Sequence, residues 1–321
     1  MSGILIVVEH NQGEVNDCTF QMIWKAHELC RDLSFKLTAV VLGGHEEPFI
    51  ASIGERVDRL ILYEDDSIKN FNSEYYSEII KNVIDEEQPF ITMIGHTPRG
   101  LDLAPALSIK TDFPIASDCV DIKIDNGEPK VIRQIYGGKL LSKVKFKKSK
   151  GYIITIRPGA FPAEKQDAYQ CEVIRKDIPL GIPEPRKRFI EFKETISGDV
   201  DITQADLLIS IGRGIGEEEN IELFSQLADK MGGALSCSRP VVDKGWLPKY
   251  HQVGTSGKTV KPKVYLAFGI SGSFQHIAGI SGAGAVIAVN RDKKAPIFRT
   301  AKYGIVSDLF KVADALNKKL G

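Results

Sequence analysis

Apolar residues along the first hundred positions keep two rhythms. Residues 4–8 form an unbroken apolar run, and 37–42, 59–63 and 90–94 are further short runs rich in β-branched or aromatic side chains. Such runs predict strands buried on both faces. Between them the rhythm becomes helical. A helix is predicted from about Asp17 to Leu33, and Tyr76, Ile79, Ile80, Val83 and Ile84 fall on one apolar stripe, with Ser73 as the N-cap. Strand–helix–strand repetition gives a parallel sheet with right-handed crossovers.

After about residue 115 the pattern turns to strands at 120–124, 131–136, 140–146 and 152–156, with Asn126-Gly127 and Gly137-Gly138 as hairpin turns. An antiparallel meander closing the first domain is the expectation. Lys143, Lys145, Lys147, Lys148 and Lys150 read as a solvated edge that blocks sheet extension. Residues 178–188, with Pro179, Pro183 and Pro185, predict a stiff extended linker and a boundary near residue 190. The alternation then restarts: strands at 207–211, 233–235, 264–268 and 286–289, helices at 220–231 and 308–320. The fold class is therefore α/β with two domains, 1–190 and 191–321.

Composition narrows the function. The 321 residues are 43% hydrophobic and 26% charged, which is globular, and 42 basic residues balance 42 acidic ones. A net charge of +0 argues against bulk electrostatic binding of nucleic acid. Mean hydropathy is −0.11, and no apolar run is long enough for membrane insertion. The N-terminus enters a strand at once, without a targeting segment, and five cysteines without a C-x-x-C pair suit neither disulfides nor a metal cluster. A cytoplasmic protein is expected.

Four segments carry candidate chemistry. Gly212-x-Gly214-x-Gly216 lies between a strand and a helix, but Glu217 stands where the dinucleotide fingerprint wants its third glycine. Three consecutive glutamates there would repel a phosphate, so a tight structural turn competes with a pyrophosphate site. Gly254-Thr255-Ser256-Gly257-Lys258-Thr259 mimics a P-loop with the wrong spacing, yet its small residues let backbone N–H groups approach a polar ligand. The segment from Gly269 to His276 opens a helix after a strand, favouring an anion at Ser271, with His276 either a ligand donor or simply packed. Arg239, before Pro240, is expected on extended backbone, facing a ligand or paired with Asp243.

The second half closely resembles the α subunit of electron transfer flavoproteins. The resemblance runs through 238–243, 245–248, 252–258, 265–279, 288–290, 295–298 and 303–310; it is looser at 95–97, 102–105 and 157–161. It implies two Rossmann-like domains, a heterodimer with a β subunit, and FAD held mainly by the C-terminal domain. Arg239 would lie against the isoalloxazine, Ser256 would bond flavin N5, and His276 would donate to flavin O2. Ser238, Gln252, Gly254, Ser271 and Gln275 would line the ribityl and pyrophosphate region, beside Val253 and Gly257. Asn290 and Asp308 would hold the adenosine end. Phe274 and Ser256 depart modestly from the residues usual in the family.

The resemblance further implies an electron carrier, not an enzyme. Electrons would come from a dehydrogenase, such as an acyl-CoA dehydrogenase of fatty acid β-oxidation, and pass to a quinone oxidoreductase or a ferredoxin. Alternatives are a bifurcating complex that uses NADH, a nucleotide-binding sensor without redox role, and an NAD-dependent deacylase on a related fold. The absence of a nucleophile–base–acid set fits a carrier.

Overall fold

The computed structural model describes residues 3–11, 13–44, 47–136, 138–164, 170–191 and 201–320. They group into two units, Met1–Glu191 and Phe192–Gly321.

In the first unit, β1 (Ile4–Val7), α1 (Asp17–Leu33), β2 (Leu37–Gly43), α2 (Glu47–Ile53), β3 (Arg59–Glu64), α3 (Ser73–Glu87), β4 (Ile91–Gly95) and α4 (Pro98–Thr111) alternate as the rhythm requires. Strands β5 (Ile115–Asp125), β6 (Glu128–Ile135), β7 (Leu140–Lys145), β8 (Tyr152–Ile156) and β9 (Glu172–Lys176) follow. All join one sheet in the order β9-β3-β2-β1-β4-β8-β5-β6-β7. Its apolar strand faces pack two cores, one around Met22, Phe49 and Met93, the other around Tyr76, Ile80 and Leu107.

The expected meander needs one correction. Strands β5, β6 and β7 are antiparallel, and β5 and β6 are joined at Asn126 and Gly127, both at positive φ, the backbone that a tight hairpin requires. Residues 152–156 do not continue them. They run parallel between β4 and β5, because Tyr152–Ile156 is buried at every position and a fully buried strand belongs in the sheet interior. Strand β7 is the sheet edge and carries Lys143 and Lys145 outward. Of the Gly137-Gly138 turn, Gly137 lies outside the described residues, as do Met1 and Ser2.

The start of α3 shifts by one residue: Asn72, not Ser73, is the cap, its Oδ1 accepting from the N–H groups of Glu74 and Tyr75. The proline stretch is no free spacer. Its backbone is tied to the same helix start, Arg186 N–H donating to Glu74 (2.6 Å) and Lys187 C=O accepting from Asn72 Nδ2 (2.7 Å).

The second unit contains β10 (Leu207–Ile211), α5 (Ile221–Lys230), β11 (Ala234–Ser238), α6 (Arg239–Asp243), β12 (Gln252–Val253), β13 (Val264–Phe268), α7 (Phe274–Gly279), β14 (Ala285–Asn290), β15 (Tyr303–Val306) and α8 (Leu309–Leu320). Every pairing in its sheet, ordered β12-β11-β10-β13-β14-β15, is parallel. From β10 the chain moves outward to β11 and β12, then returns to the other side of β10 as β13. The order thus reverses between β10 and β13, and at such a switch point the loops leaving neighbouring strands part and open a crevice. No described helix is long and apolar enough to cross a membrane.

The cap of α3 is testable. Asn72→Ala should cost about 1 kcal/mol and Ser73→Ala less than about 0.5 kcal/mol, read as shifts of the urea midpoint. Equal costs would return the cap to Ser73.

Candidate functional site

The crevice is present where the sheet order reverses. A cleft of about 600 Å³ lies at the carboxyl ends of the strands of the second unit. Arg213 and Gly214 reach it after β10, Ser238 to Pro240 with Asp243 after β11, and Gln252 to Ser256 from β12 onward. The β13–α7 segment supplies Gly269 to Ser273 with Gln275 and His276, and β14 ends in Asn290.

Close backbone contacts hold these loops together. A Cβ on Gly212 would sit 2.4 Å from the Gly269 carbonyl oxygen, and one on Gly214 would sit 2.7 Å from Gly269 Cα. The turn after β10 therefore rests directly on the turn after β13. On the other wall, a Cβ on Gly279 would fall 2.6 Å from both N and Cα of Gly254. Gly254 has φ +138°, which glycine alone adopts without strain. Its neighbour Thr255 donates its N–H to Gln275 C=O at 3.0 Å, fastening the loop to α7.

Most of the sequence-derived residues converge here. Gln252 is buried, and its Nε2 donates to Ser256 Oγ at 2.8 Å, leaving the exposed Ser256 hydroxyl proton free to turn into the cleft. Ser238 is buried; Ser271 and Gln275 are exposed at the rim. Asn290 donates Nδ2 to Ile270 C=O (2.9 Å) while its Oδ1 accepts from Asp292 N–H (2.9 Å).

Arg239 differs from expectation in its backbone. Ser238 is the extended residue, and Arg239 opens the short α6 with Pro240 behind it, a position where a missing N–H costs nothing. Its guanidinium lies 3.3 Å from Asp243, one helical turn on, and remains largely exposed.

His276 is 4% exposed. Its Nδ1 lies 3.1 Å from Val253 C=O and its Nε2 lies 2.9 Å from the Tyr265 hydroxyl. Burial holds its pKa down, to about 4, against the smaller opposing effect of the Val253 carbonyl. The ring is therefore neutral, and its one proton sits on Nδ1, since a carbonyl only accepts. The donor expected toward a ligand is already committed within the protein.

Two residues stand outside the lining. Gly257 turns the loop instead: a Cβ there would meet Gln252 C=O at 2.3 Å. Asp308 caps α8, accepting from Phe310 N–H (2.8 Å) and Lys311 N–H (3.2 Å), and pairs with Arg291. Lys258 of the P-loop mimic binds Asp201 at 2.8 Å. Arg213 and Gly214 are the lining residues that the motif reading left to a structural turn. The glutamates that argued against a site, Glu217 to Glu219, are not in the lining. Burial pushes the thiols of Cys18, Cys30, Cys119 and Cys237 up to about 12, so they are inert at neutral pH.

Comparison with known proteins now bears on what the cleft holds. Residues 201–281 match the electron transfer flavoprotein FAD-binding domain, and residues 4–180 match the electron transfer flavoprotein domain. The chain belongs to the electron transfer flavoprotein family. It is 36% identical to the electron transfer flavoprotein subunit alpha of Methylophilus methylotrophus, with 100% of this chain and 99% of that protein covered. It is 32% identical to the Protein FixB of Clostridium saccharobutylicum (98% and 95% covered). It is also 31% identical to the acryloyl-CoA reductase electron transfer subunit beta of Anaerotignum propionicum (96% and 93% covered).

The residues present fit FAD. Of the charged groups in the lining, Arg239 and Asp243 offset one another and Arg213 adds a further positive charge, suited to a diphosphate. Gly214, Gly254, Gly269 and Gly272 line the cleft without side chains, which leaves room in it for such a ligand.

His276 also makes stability depend on pH. Its folded pKa, about 4, lies below the ordinary 6.5, so between these values the unfolded chain binds more protons. Its contribution is full above pH 6.5 and falls as the pH drops toward 4, by about 3 kcal/mol in all. Urea unfolding across this range should show that loss in the wild type, and His276→Gln should lack it.

Proposed function

We propose that the chain is the α subunit of an electron-carrying heterodimer and that the cleft of its second unit holds FAD. The observation that carries this reading is coincidence. The cleft opens at the sheet's switch point, and most of its lining falls within the segment matching the FAD-binding domain. Bound there, FAD supplies a redox centre able to exchange one or two electrons.

The chain's own residues bind and tune. Arg239, tethered to Asp243, places the positive charge of its guanidinium against the flavin ring, where negative charge develops on reduction. Ser256, its oxygen already bonded by Gln252, keeps a hydroxyl proton for flavin N5. Ser238, Val253, Gly254, Ser271 and Gln275 line the ribityl and pyrophosphate stretch, and Arg213 joins them as a phosphate cation. Asn290 lies at the adenosine end; Asp308 acts there through the start of α8, and Gly257 through the shape of its loop. His276 contributes position, since its proton is spent on Val253.

A β subunit completes the carrier. A dehydrogenase, such as an acyl-CoA dehydrogenase, feeds it electrons, and a quinone oxidoreductase or a ferredoxin drains it. The likeness to an acryloyl-CoA reductase electron transfer subunit keeps a second reading in play, a bifurcating complex that also uses NADH.

Co-purification with the β subunit decides between them: one FAD per heterodimer supports the simple carrier, two the bifurcating complex, and none refutes the proposal. Charge contacts worth about 1.5–3 kcal/mol correspond to about 65–130 mV for one electron. Arg239→Ala should therefore lower the first reduction potential by about that amount, measured by stepwise reductive titration. An unchanged potential would make Arg239 structural.

A further inference from the structure

Behind the cleft wall lies a chain of buried polar groups that the cofactor reading does not use. Tyr265, the second residue of β13, is 0% exposed, and its neighbours in the packed core are Leu208, Val253, Ala267 and Val286. Phenylalanine would fill this position equally well by volume. The hydroxyl nevertheless sits 2.5 Å from Ser210 Oγ and 2.9 Å from His276 Nε2. Ser210 is itself fully buried on the adjacent strand β10, two positions beyond Leu208, the register partner of Tyr265.

One arrangement of protons satisfies these groups. Val253 C=O takes the Nδ1 proton of His276, so Nε2 is a bare acceptor. The Tyr265 hydroxyl must then donate to Nε2, and Ser210 donates to the phenol oxygen. The line ends on the backbone of Val253, next to Gly254 and three residues before Ser256.

We propose that Tyr265 is a positioning residue of the cofactor site: with Ser210 it fixes the tautomer and ring angle of His276, and through His276 it anchors the Val253 carbonyl at the root of the loop carrying Ser256. The proposal rests on the FAD reading for its functional half only. A buried polar line of this kind holds its members in one geometry because breaking any link strands an unpaired group. Turning the ring would strand Nε2 and Val253 C=O together and leave the phenol only Ser210. The 252–256 loop is therefore held from two sides, by the Gly254–Gly279 backbone contact and by the ring.

The test uses the full chain co-purified with its β subunit and labelled with ¹⁵N at histidine, the His276 signals being assigned by their loss in His276→Gln. In the wild type, Nδ1 should be protonated and Nε2 a hydrogen-bonded acceptor. Tyr265→Phe should move the Nε2 signal toward a free lone pair or mix the tautomers. It should also speed FAD release about two- to tenfold, the worth of one neutral hydrogen bond. Ser210→Ala, which removes only the far end of the line, should give smaller changes of the same sign and serves if Tyr265→Phe does not fold. A wild-type proton on Nε2, or an Nε2 signal unmoved in the folded variants, overturns the proposal. So does a shifted signal with unchanged FAD release. A wild-type protein with the expected histidine spectrum and no FAD would instead refute the cofactor reading and leave the buried line standing.

Discussion

Contact between bare backbones is the constraint on which the site depends. Gly212 and Gly214 touch Gly269 where the sheet order reverses, and Gly254 touches Gly279 on the opposite wall. Parallel strands deliver all these turns to one edge, but parallel pairing alone would leave the turns splayed. Glycine lets them close to main-chain distance, and that closeness turns a gap between loops into a walled cleft. A methyl group at Gly214 or Gly279 would push apart the walls that the sheet brings together.

The wall is also stiffened from behind. Ser210, Tyr265 and His276 come from three different elements, yet they form one satisfied line ending at Val253. Their burial would be costly if any of them were unpaired. Here the polar groups make the core specific: an apolar set of the same volume would pack but would not fix the angle of a ring or a carbonyl.

Much of the fold was legible because fully buried strands write themselves as apolar runs. The spans at 207–211, 264–268 and 152–156 coincide with strands, and Asp17–Leu33 with a helix. What escaped reading had mixed signals. Helix α4 carries Pro105 inside it, and only the Thr97 cap before Pro98 marks its start. Strand β9 reads Glu-Val-Ile-Arg-Lys, polar enough for a loop, because it is an edge strand. Segment 152–156 showed its strand but not its neighbours, since pairing partners leave no local trace. In the site, the hydroxyl and glycine loops were visible as motifs. Arg213 was hidden by the glutamates after it, whose distance from the cleft only the fold reveals. The Tyr265 hydroxyl was hidden because a tyrosine in an apolar strand looks like any aromatic core residue.

Strand β15 ends the second sheet with Tyr303 at 60%, Ile305 at 38% and Val306 at 59% exposure. An apolar strand with one free edge is a template for another strand, and no lysine or proline within it blocks that use. A chain made faster than whatever covers this edge would therefore meet its own copies first. Aggregation through this strand is thus the hazard that its chemistry carries.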